Sequence, residues 1–263
     1  MYPRLFQLGR FAIPTYGAFT ALALVAALVA LLQFARRLAL DANKLWNLGL
    51  IAILTTLIAE RLLLAVAYFG AFRAHPFWVL GITTSHSGWI FPVAVVMGFA
   101  AATLYVLAEG LSFLRVLDCI APCAALGLAL NRMGAFLAGL DYGLPSAQAW
   151  GVRYSSRIAA FWYHTPLGVR LYPVQLYEAI TSLLIFLTLC WWLPRRTQDG
   201  ELAGSWLFLF GLTGFFLDSH RAAVQSSLFA RQATFALMVI SSAALLISRK
   251  SDGYTVDNDA SHT

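Results

Sequence analysis

The chain has 263 residues, of which 60% are hydrophobic and only 11% are charged. Soluble domains contain roughly 25% charged residues, so this chain lacks the polar side chains needed to cover a water-soluble globule. Its formal net charge is +6, and arginine supplies almost all of the positive charge. We therefore predict a polytopic membrane protein whose basic residues face anionic lipid, with no nucleic-acid partner and no large soluble domain.

Seven apolar segments, of about 20 residues each except for a shorter sixth, are interpreted as helices that cross a bilayer. They lie at about 16–35, 46–69, 90–108, 116–138, 173–194, 203–218 and 228–248. The pattern predicts an all-α bundle of about seven transmembrane helices, forming one transmembrane domain over residues 1–250. Pro122 is expected near the start of its helix, where proline is tolerated. The polar tail, residues 251–263, is expected to be disordered.

Basic pairs close three of these segments, at Arg36–Arg37, Arg195–Arg196 and Arg249–Lys250. Positive residues that lie close to helix ends favour the cytoplasmic side. We therefore predict an outside N-terminus, a cytoplasmic C-terminus and an extracytoplasmic cap at about 139–172. The aromatic residues of the cap are typical of a membrane–water interface; they include Trp150, Tyr154, Trp162 and Tyr163.

Ionisable side chains in or beside the apolar segments are costly, and they usually face a cavity or a partner. These residues are Glu60, Arg61, His86, Arg132, Asp218, His220 and Arg221. Each also has a purely structural interpretation, such as a salt bridge between helices, an interfacial position or a surface pair three residues apart. Together they supply several cationic donors, and arginine binds phosphate through a rigid fork of N–H groups. The set predicts a cavity for an anionic headgroup.

Glycines surround Arg132 in the stretch GLALNRMGAFLAGLDYG, residues 127–143. Small residues let a neighbouring helix or a lipid approach the backbone, and Gly143 with Pro145 favours a turn. The stretch predicts a helix that holds Arg132 against a negative group and then breaks into the cap. Cys119 and Cys123 are interpreted as small buried apolar residues, because no disulfide framework or metal-ligand spacing is present. No metal and no cofactor are predicted.

Six segments of the chain carry motifs of a recognisable kind. In chain order they are IPTYG with Tyr16, the second helix with Arg61, SHSG with His86, the stretch 117–143, YPVQLYE at 172–178, and GLTGFFLDSHR at 211–221. Together and in this order, the six segments resemble the prolipoprotein diacylglyceryl transferase family. Within the stretch 117–143, the residues at the family's spacing are Arg132, Gly134, Phe136 and Gly143.

The resemblance implies transfer of a diacylglyceryl group from phosphatidylglycerol, or another anionic phospholipid, to a lipobox cysteine of a lipoprotein precursor. It implies that Arg132 binds the phosphate and that His86 acts as a base or donor. Tyr16, Gln175 and Tyr177 would position the headgroup. The remaining residues expected to bind substrate are Arg61, Gly134, Gly143, Glu178, Asp218 and Arg221. The expected location is the bacterial cytoplasmic membrane.

Several positions depart from the family pattern. Ala135, Ala138 and Leu140 replace two asparagines and a glutamate, with Asp141 one place beyond the glutamate position; Ser87 and Tyr172 replace a glycine and a histidine. Gly214 stands where an arginine is expected in the sixth helix, so Arg221, His220 or Arg231 would have to substitute for it.

Three alternatives stay open: a noncatalytic member that binds anionic lipid or lipoprotein, a transferase with another acceptor, and a transporter or channel.

Overall fold

The computed structural model describes residues 2–8, 11–74, 89–222 and 231–243. Residues up to Leu31 together with those from Leu117 onward form one compact unit, and Leu32–Val116 form another. We call these the larger and the smaller unit, and each is described by itself. His86 and the tail 251–263 lie outside the described residues. The disorder of the tail and the single domain over residues 1–250 stay predictions.

Helices account for most of the described residues, and their bounds follow the apolar segments closely. They are α1 (Thr15–Arg37), α2 (Ala42–Ala67), α3 (Phe69–Ala74), α4 (Ile90–Ala108), α5 (Phe113–Ala138), α6 (Arg157–Tyr163), α7 (Val174–Trp192), α8 (Glu201–Asp218) and α9 (231–243). The all-α fold class is confirmed. Short antiparallel pairs that the sequence pattern did not predict are formed by β1 (Arg4–Leu8) with β2 (Phe11–Pro14), and by β3 (Val152–Arg153) with β4 (Arg170–Leu171).

Among the described residues, five helices are long and apolar enough to cross a membrane, judged by length and composition. They are α1, α2, α4, α5 and α7 together with the 3-10 turn that follows it. Helix α8 coincides with the predicted span at 203–218 but is not among the five, and it carries a carboxylate at each end. Helix α9 covers the described part of the predicted span at 228–248. The chain is a multi-pass membrane protein; crossing by these last two segments and the sidedness of the termini stay predictions.

In the smaller unit, α2 and α4 pack directly against each other at Gly98. A Cβ atom at Gly98 would overlap the side chain of Thr56 and lie 2.9 Å from the carbonyl oxygen of Ala52. Glycine is therefore required for this close approach of two helices. An ion pair of 2.8 Å joins Lys44, near the start of α2, to Glu109, just after the end of α4, as expected for antiparallel neighbours.

In the larger unit, a fully buried carboxylate fixes the start of α8 to α5. Asp118 accepts hydrogen bonds from the backbone N–H groups of Gly200 at 2.8 Å and Ala203 at 2.9 Å. The first N–H groups of a helix have no partner within it, so Asp118 acts as a remote cap of α8. Arg196 donates to the same carboxylate at 3.0 Å and to Asp199 at 2.8 Å, which supplies the buried charge with its counter-ion.

Pro122 lies inside α5, and the prediction that it is near the start of the helix is wrong. The helix begins at Phe113, because the N–H of Val116 already donates to the carbonyl of Ser112. Proline has no N–H to continue the helical ladder, yet membrane helices tolerate it where neighbouring groups compensate. Cys119 and Cys123 in the same helix are buried, in agreement with their interpretation as packing residues.

We expect Asp118→Ala to destabilise the protein strongly, because Arg196 and two backbone N–H groups would lose a buried partner. Removal of one member of a buried ion pair costs about 3–5 kcal/mol. Asp199→Ala removes the more exposed partner of the same arginine and should cost about 1 kcal/mol or less. Thermal midpoints of the purified variants in detergent test this difference. Equal midpoints for the two variants would show that Asp118 does not anchor α8.

Candidate active site

Six charged side chains of the larger unit form an alternating series of contacts, which we call the ion-pair chain. In order of contact, its members are Asp141, Arg132, Glu178, Arg221, Asp218 and Arg231. Arginines and carboxylates alternate in equal numbers, so the ion-pair chain is formally neutral. It brings together the C-terminal ends of α5 and α8, the first turns of α7 and the start of α9.

Arg132 is paired with two carboxylates at once. Its Nη1 lies 2.8 Å from Oδ2 of Asp141, and its Nε lies 3.2 Å from Oε2 of Glu178. The other oxygen of Glu178, Oε1, accepts a hydrogen bond from Nη2 of Arg221. Glu178 therefore joins two guanidinium groups, which like charge would otherwise drive apart.

Asp218 continues the series toward α9. Its Oδ2 lies 3.0 Å from Nε of Arg231, and its Oδ1 lies 4.0 Å from Nε of Arg221. The Asp218 side chain is only 5% exposed, so these arginines are the counter-ions that make its burial tolerable. The surface pair of Asp218 and Arg221 considered from the sequence is thus part of a larger, partly buried network.

Five members of the ion-pair chain line a cavity of about 220 Å³. They are Arg132, Glu178, Asp218, Arg221 and Arg231. The apolar lining consists of Leu128, Phe210, Gly214, Leu217 and Phe235, and the hydroxyl lining consists of Thr181, Ser182, Thr213 and Thr234. A cavity that combines guanidinium groups with apolar walls suits an amphipathic ligand that has an anionic group.

The backbone around Gly143 holds the ends of three helices together. The N–H of Gly143 donates to the carbonyl of Tyr172 at 3.2 Å, and the N–H of Leu144 donates to the carbonyl of His220 at 2.8 Å. A Cβ atom at Gly143 would lie 2.5 Å from the Tyr172 carbonyl oxygen, so a side chain is excluded there. Gly143 also forms a β-bridge with Arg221. A glycine at position 143 is thus needed for close backbone packing, and direct contact of Gly143 with substrate stays a prediction.

Gln175 has a comparable supporting role. Its side chain is buried, and its Nε2 donates to the carbonyl oxygen of Leu140 at 2.7 Å and to the hydroxyl of Tyr154 at 3.3 Å. Its Oε1 is buried and has no hydrogen-bond partner within the described part of the chain. Gln175 thereby fixes the peptide before Asp141 to the start of α7. It is not among the residues that line the cavity.

Helix α1 contacts α5 beside Arg132. Asn131 Nδ2 lies 3.5 Å from the Tyr16 hydroxyl oxygen, so Tyr16 lies next to the residue that precedes Arg132. A Cβ atom at Gly134 would overlap the side chain of Phe19, which explains why α5 has a glycine at this point. Both predicted residues therefore lie close to Arg132, although neither lines the cavity.

Two more residues singled out in the sequence, Tyr177 and His220, belong to the larger unit but do not line the cavity. Tyr177 of α7 is half-buried and is not among the residues that line the cavity. His220 is exposed, and its ring packs edge-on against Tyr172 with centroids 5.2 Å apart. Arg61 lies on α2 of the smaller unit. His86 lies outside the described residues, so the catalytic role of His86 and the binding role of Arg61 stay predictions.

The cap, residues 139–172, packs around Tyr154, whose side chain is buried although the sequence predicted an interfacial position. Its ring lies against Gly139, where an added Cβ atom would be 3.1 Å from the ring. Burial raises the pKa of Tyr154 to about 12, so its hydroxyl stays protonated at neutral pH. Thr165, also buried, donates to the carbonyl of Gly139 at 2.8 Å. These contacts fix the point at which the chain leaves α5.

Gly214 faces an aromatic ring, which gives a physical reason for the lack of an arginine there. A Cβ atom at Gly214 would overlap the ring of Phe235, and that ring packs edge-on against Phe210 at 6.1 Å. Arg231 lies one turn before Phe235 on α9 and reaches Asp218, which lies one turn after Gly214 on α8. A guanidinium group therefore enters this part of the cavity from α9.

Asp141 and Arg231 belong to the ion-pair chain but were not predicted as site residues. Arg231 was considered only as a substitute for the residue at Gly214, and Asp141 only as a neighbour of a family position. The available signal was weak in both cases. Asp141 lies two residues after Gly139 at the end of an apolar run, and Arg231 stands four residues before Phe235 at the start of another.

Comparison with known proteins agrees with this description. The sequence profile described as prolipoprotein diacylglyceryl transferase matches residues 3–248. The phosphatidylglycerol–prolipoprotein diacylglyceryl transferase of Clostridium tetani is 25% identical over 212 residues, which cover 81% of this chain and 82% of the relative. The protein of the same name from Parasynechococcus marenigrum is 29% identical over 235 residues, covering 83% and 80%. That from Thermosynechococcus vestitus is 25% identical over 223 residues, covering 82% and 80%.

The helices and the cavity define a multi-pass membrane protein with a charged internal site. The match over residues 3–248 is more specific: the chain belongs to the prolipoprotein diacylglyceryl transferase family, a family of membrane transferases. The family that the sequence resembled is thereby confirmed.

We expect Gly214→Ala to destabilise the larger unit by about 1–3 kcal/mol, because the new methyl group would force the Phe235 ring out of its position. Phe235→Leu in the same chain should recover part of this loss, since a smaller side chain makes room. The measurement is the thermal midpoint of the single and double variants in detergent. Strictly additive effects of the two substitutions would contradict direct contact between these residues.

Proposed function

We propose that this protein transfers the diacylglyceryl group of phosphatidylglycerol to the thiol of a lipobox cysteine in a lipoprotein precursor. In this reaction the bond between the glyceryl carbon and the phosphate oxygen breaks, and glycerol phosphate leaves with the electron pair. A thioether bond forms between the same carbon and the cysteine sulfur. The thiol proton passes to a base, because the thiolate is the nucleophile. The names of the relatives support this donor and this class of acceptor.

The observation that carries the proposal is the convergence of Arg132 and Arg221 on Glu178 at the edge of one cavity, with Arg231 one carboxylate further on. The phosphate of the donor changes from a diester with one negative charge to a monoester with more. Preorganised guanidinium groups stabilise such developing charge more strongly in the transition state than in the bound substrate.

A second cation also favours an enzyme over a protein that only binds lipid. A second guanidinium group adds a donor for the charge that grows on the phosphate during a reaction, and a protein that only binds lipid gains no rate from such a donor. Arg221 shares a carboxylate with Arg132, so both guanidinium groups can contact a single phosphate with small movements. This arrangement supports the transferase and gives the noncatalytic alternative no separate support.

The proposed roles follow from these contacts. Arg132 and Arg221 bind the phosphate, while Glu178 and Asp218 orient the guanidinium groups. The apolar lining receives the glyceryl ester part of the donor. Proposals that rest on the family resemblance alone are His86 as the thiol base and Arg61, Tyr16 and Tyr177 as headgroup contacts. The same holds for a bacterial cytoplasmic membrane location with the cap on the outer side.

We expect Arg132→Ala to lower the transfer rate by about 10²–10³-fold, by analogy with the loss of one oxyanion donor. Arg157→Gln is a matched control, because Arg157 is an exposed arginine of the cap that does not line the cavity. The assay is labelling of a lipobox peptide with phosphatidylglycerol as donor, together with complementation of a strain depleted of its own transferase. Normal activity of an inserted Arg132→Ala variant would reject the phosphate role.

We also expect His86→Gln to slow transfer much more than it weakens donor binding, since loss of the base leaves the phosphate contacts in place. The comparison is between the peptide-labelling rate at saturating donor and the Kd for phosphatidylglycerol. A decrease of similar size in both quantities would indicate that His86 has a structural role.

A further inference from the structure

The segment that follows α5 turns back onto the helix. Gly139 has a φ of 86° and Asp141 has a φ of 57°, and both lie in the left-handed region. Residues other than glycine seldom adopt this conformation, although aspartate tolerates it better than most. Because of these two turns, the carboxylate of Asp141 reaches Arg132, nine residues earlier in the sequence.

A single oxygen of Asp141 faces both guanidinium groups of the proposed phosphate site. Its Oδ2 lies 2.8 Å from Nη1 of Arg132 and 3.9 Å from Nη1 of Arg221. Glu178 joins the same two arginines, but its side chain is 17% exposed and that of Asp141 is 40% exposed. The two arginines are thus held by one carboxylate that is mostly buried and by another that is open to solvent.

The Asp141 oxygen occupies the kind of position that a phosphate oxygen requires. Carboxylates and phosphates bind the guanidinium fork in the same way, through parallel charge-assisted hydrogen bonds. An exposed ion pair is screened by water and is exchanged at little cost, whereas loss of a buried partner leaves a charge uncompensated. Asp141, rather than Glu178, is therefore the carboxylate that an incoming anion can replace.

We propose that Asp141 is a displaceable counter-ion: it occupies the anion position between Arg132 and Arg221 while the site is empty, and the phosphate of the donor lipid displaces it. This inference rests on the proposed function. The exchange replaces one monoanion with another, so the charge beside the arginines stays balanced before and after binding. Asp141 consequently stabilises the empty site and lowers its affinity for anionic lipid.

Asp141→Asn tests the proposal, because it removes the competing charge and keeps the size of the side chain. Titration of the full chain in nonionic detergent with short-chain phosphatidylglycerol should give a Kd roughly two- to fivefold lower than that of the unaltered protein, the range expected for loss of an exposed ion pair. The thermal midpoint of the ligand-free variant should fall, because Arg132 loses a counter-ion. Diacylglycerol of the same chain length has no phosphate and should bind both proteins equally.

Asp199→Asn is the matched control, since Asp199 also pairs with an arginine, Arg196, that does not belong to the ion-pair chain. Its Kd for phosphatidylglycerol should equal that of the unaltered protein. A Kd for Asp141→Asn that is unchanged or higher would overturn the inference, because Asp141 would then serve only to orient Arg132. Tighter binding of diacylglycerol as well would also overturn it, since the effect would not depend on phosphate.

Arg132→Gln separates this inference from the proposed function. If phosphatidylglycerol binds normally to Arg132→Gln, the phosphate role of Arg132 itself is wrong. If Arg132→Gln loses binding while Asp141→Asn fails to tighten it, the phosphate site stands and only the counter-ion role of Asp141 is wrong.

Discussion

The larger unit depends on the sharing of one carboxylate, that of Glu178, by the guanidinium groups of Arg132 and Arg221. Burial of a charged side chain costs folding free energy unless an opposite charge lies beside it. Glu178 meets this requirement for two helices at once, because it contacts α5 on one side and the segment after α8 on the other. The interactions that hold these helix ends together therefore include the ion pairs that form the proposed phosphate site.

The arginines that line the cavity come from different segments of the chain. Aromatic packing determines which of these segments has room for an arginine side chain. Trp206 stacks on Phe210 at 5.6 Å, and Phe210 contacts the Phe235 ring that covers Gly214. Helix α8 therefore supplies a carboxylate, Asp218, and apolar lining to the cavity, while α9 supplies the guanidinium group. Gly214 of α8 and Arg231 of α9 thus line the same cavity.

Backbone contacts around the cap give a structural role to two residues that the sequence predicted as substrate ligands. Gly143 is required because a Cβ atom there would clash with the carbonyl oxygen of Tyr172. The Nε2 of Gln175 donates hydrogen bonds to the carbonyl of Leu140 and the hydroxyl of Tyr154. These contacts fix the short segment that contains Asp141. A residue of a sequence motif can therefore support a binding site by fixing the nearby backbone, without contacting the ligand.

The sequence by itself determined the membrane class, the helix positions and three members of the ion-pair chain, because the length of an apolar run and a charge near its end are local properties. A fourth member, Glu178, was predicted only through the family resemblance. Only the tertiary structure decided which charges pair. The contact of Arg221 with Glu178 joins residues 43 positions apart, and that of Arg132 with Asp141 depends on two left-handed turns after α5. Helical periodicity relates residues only three or four positions apart, so it contains no information on such contacts. The burial of Tyr154 and the entry of Arg231 from α9 were likewise decided by packing between segments distant in sequence.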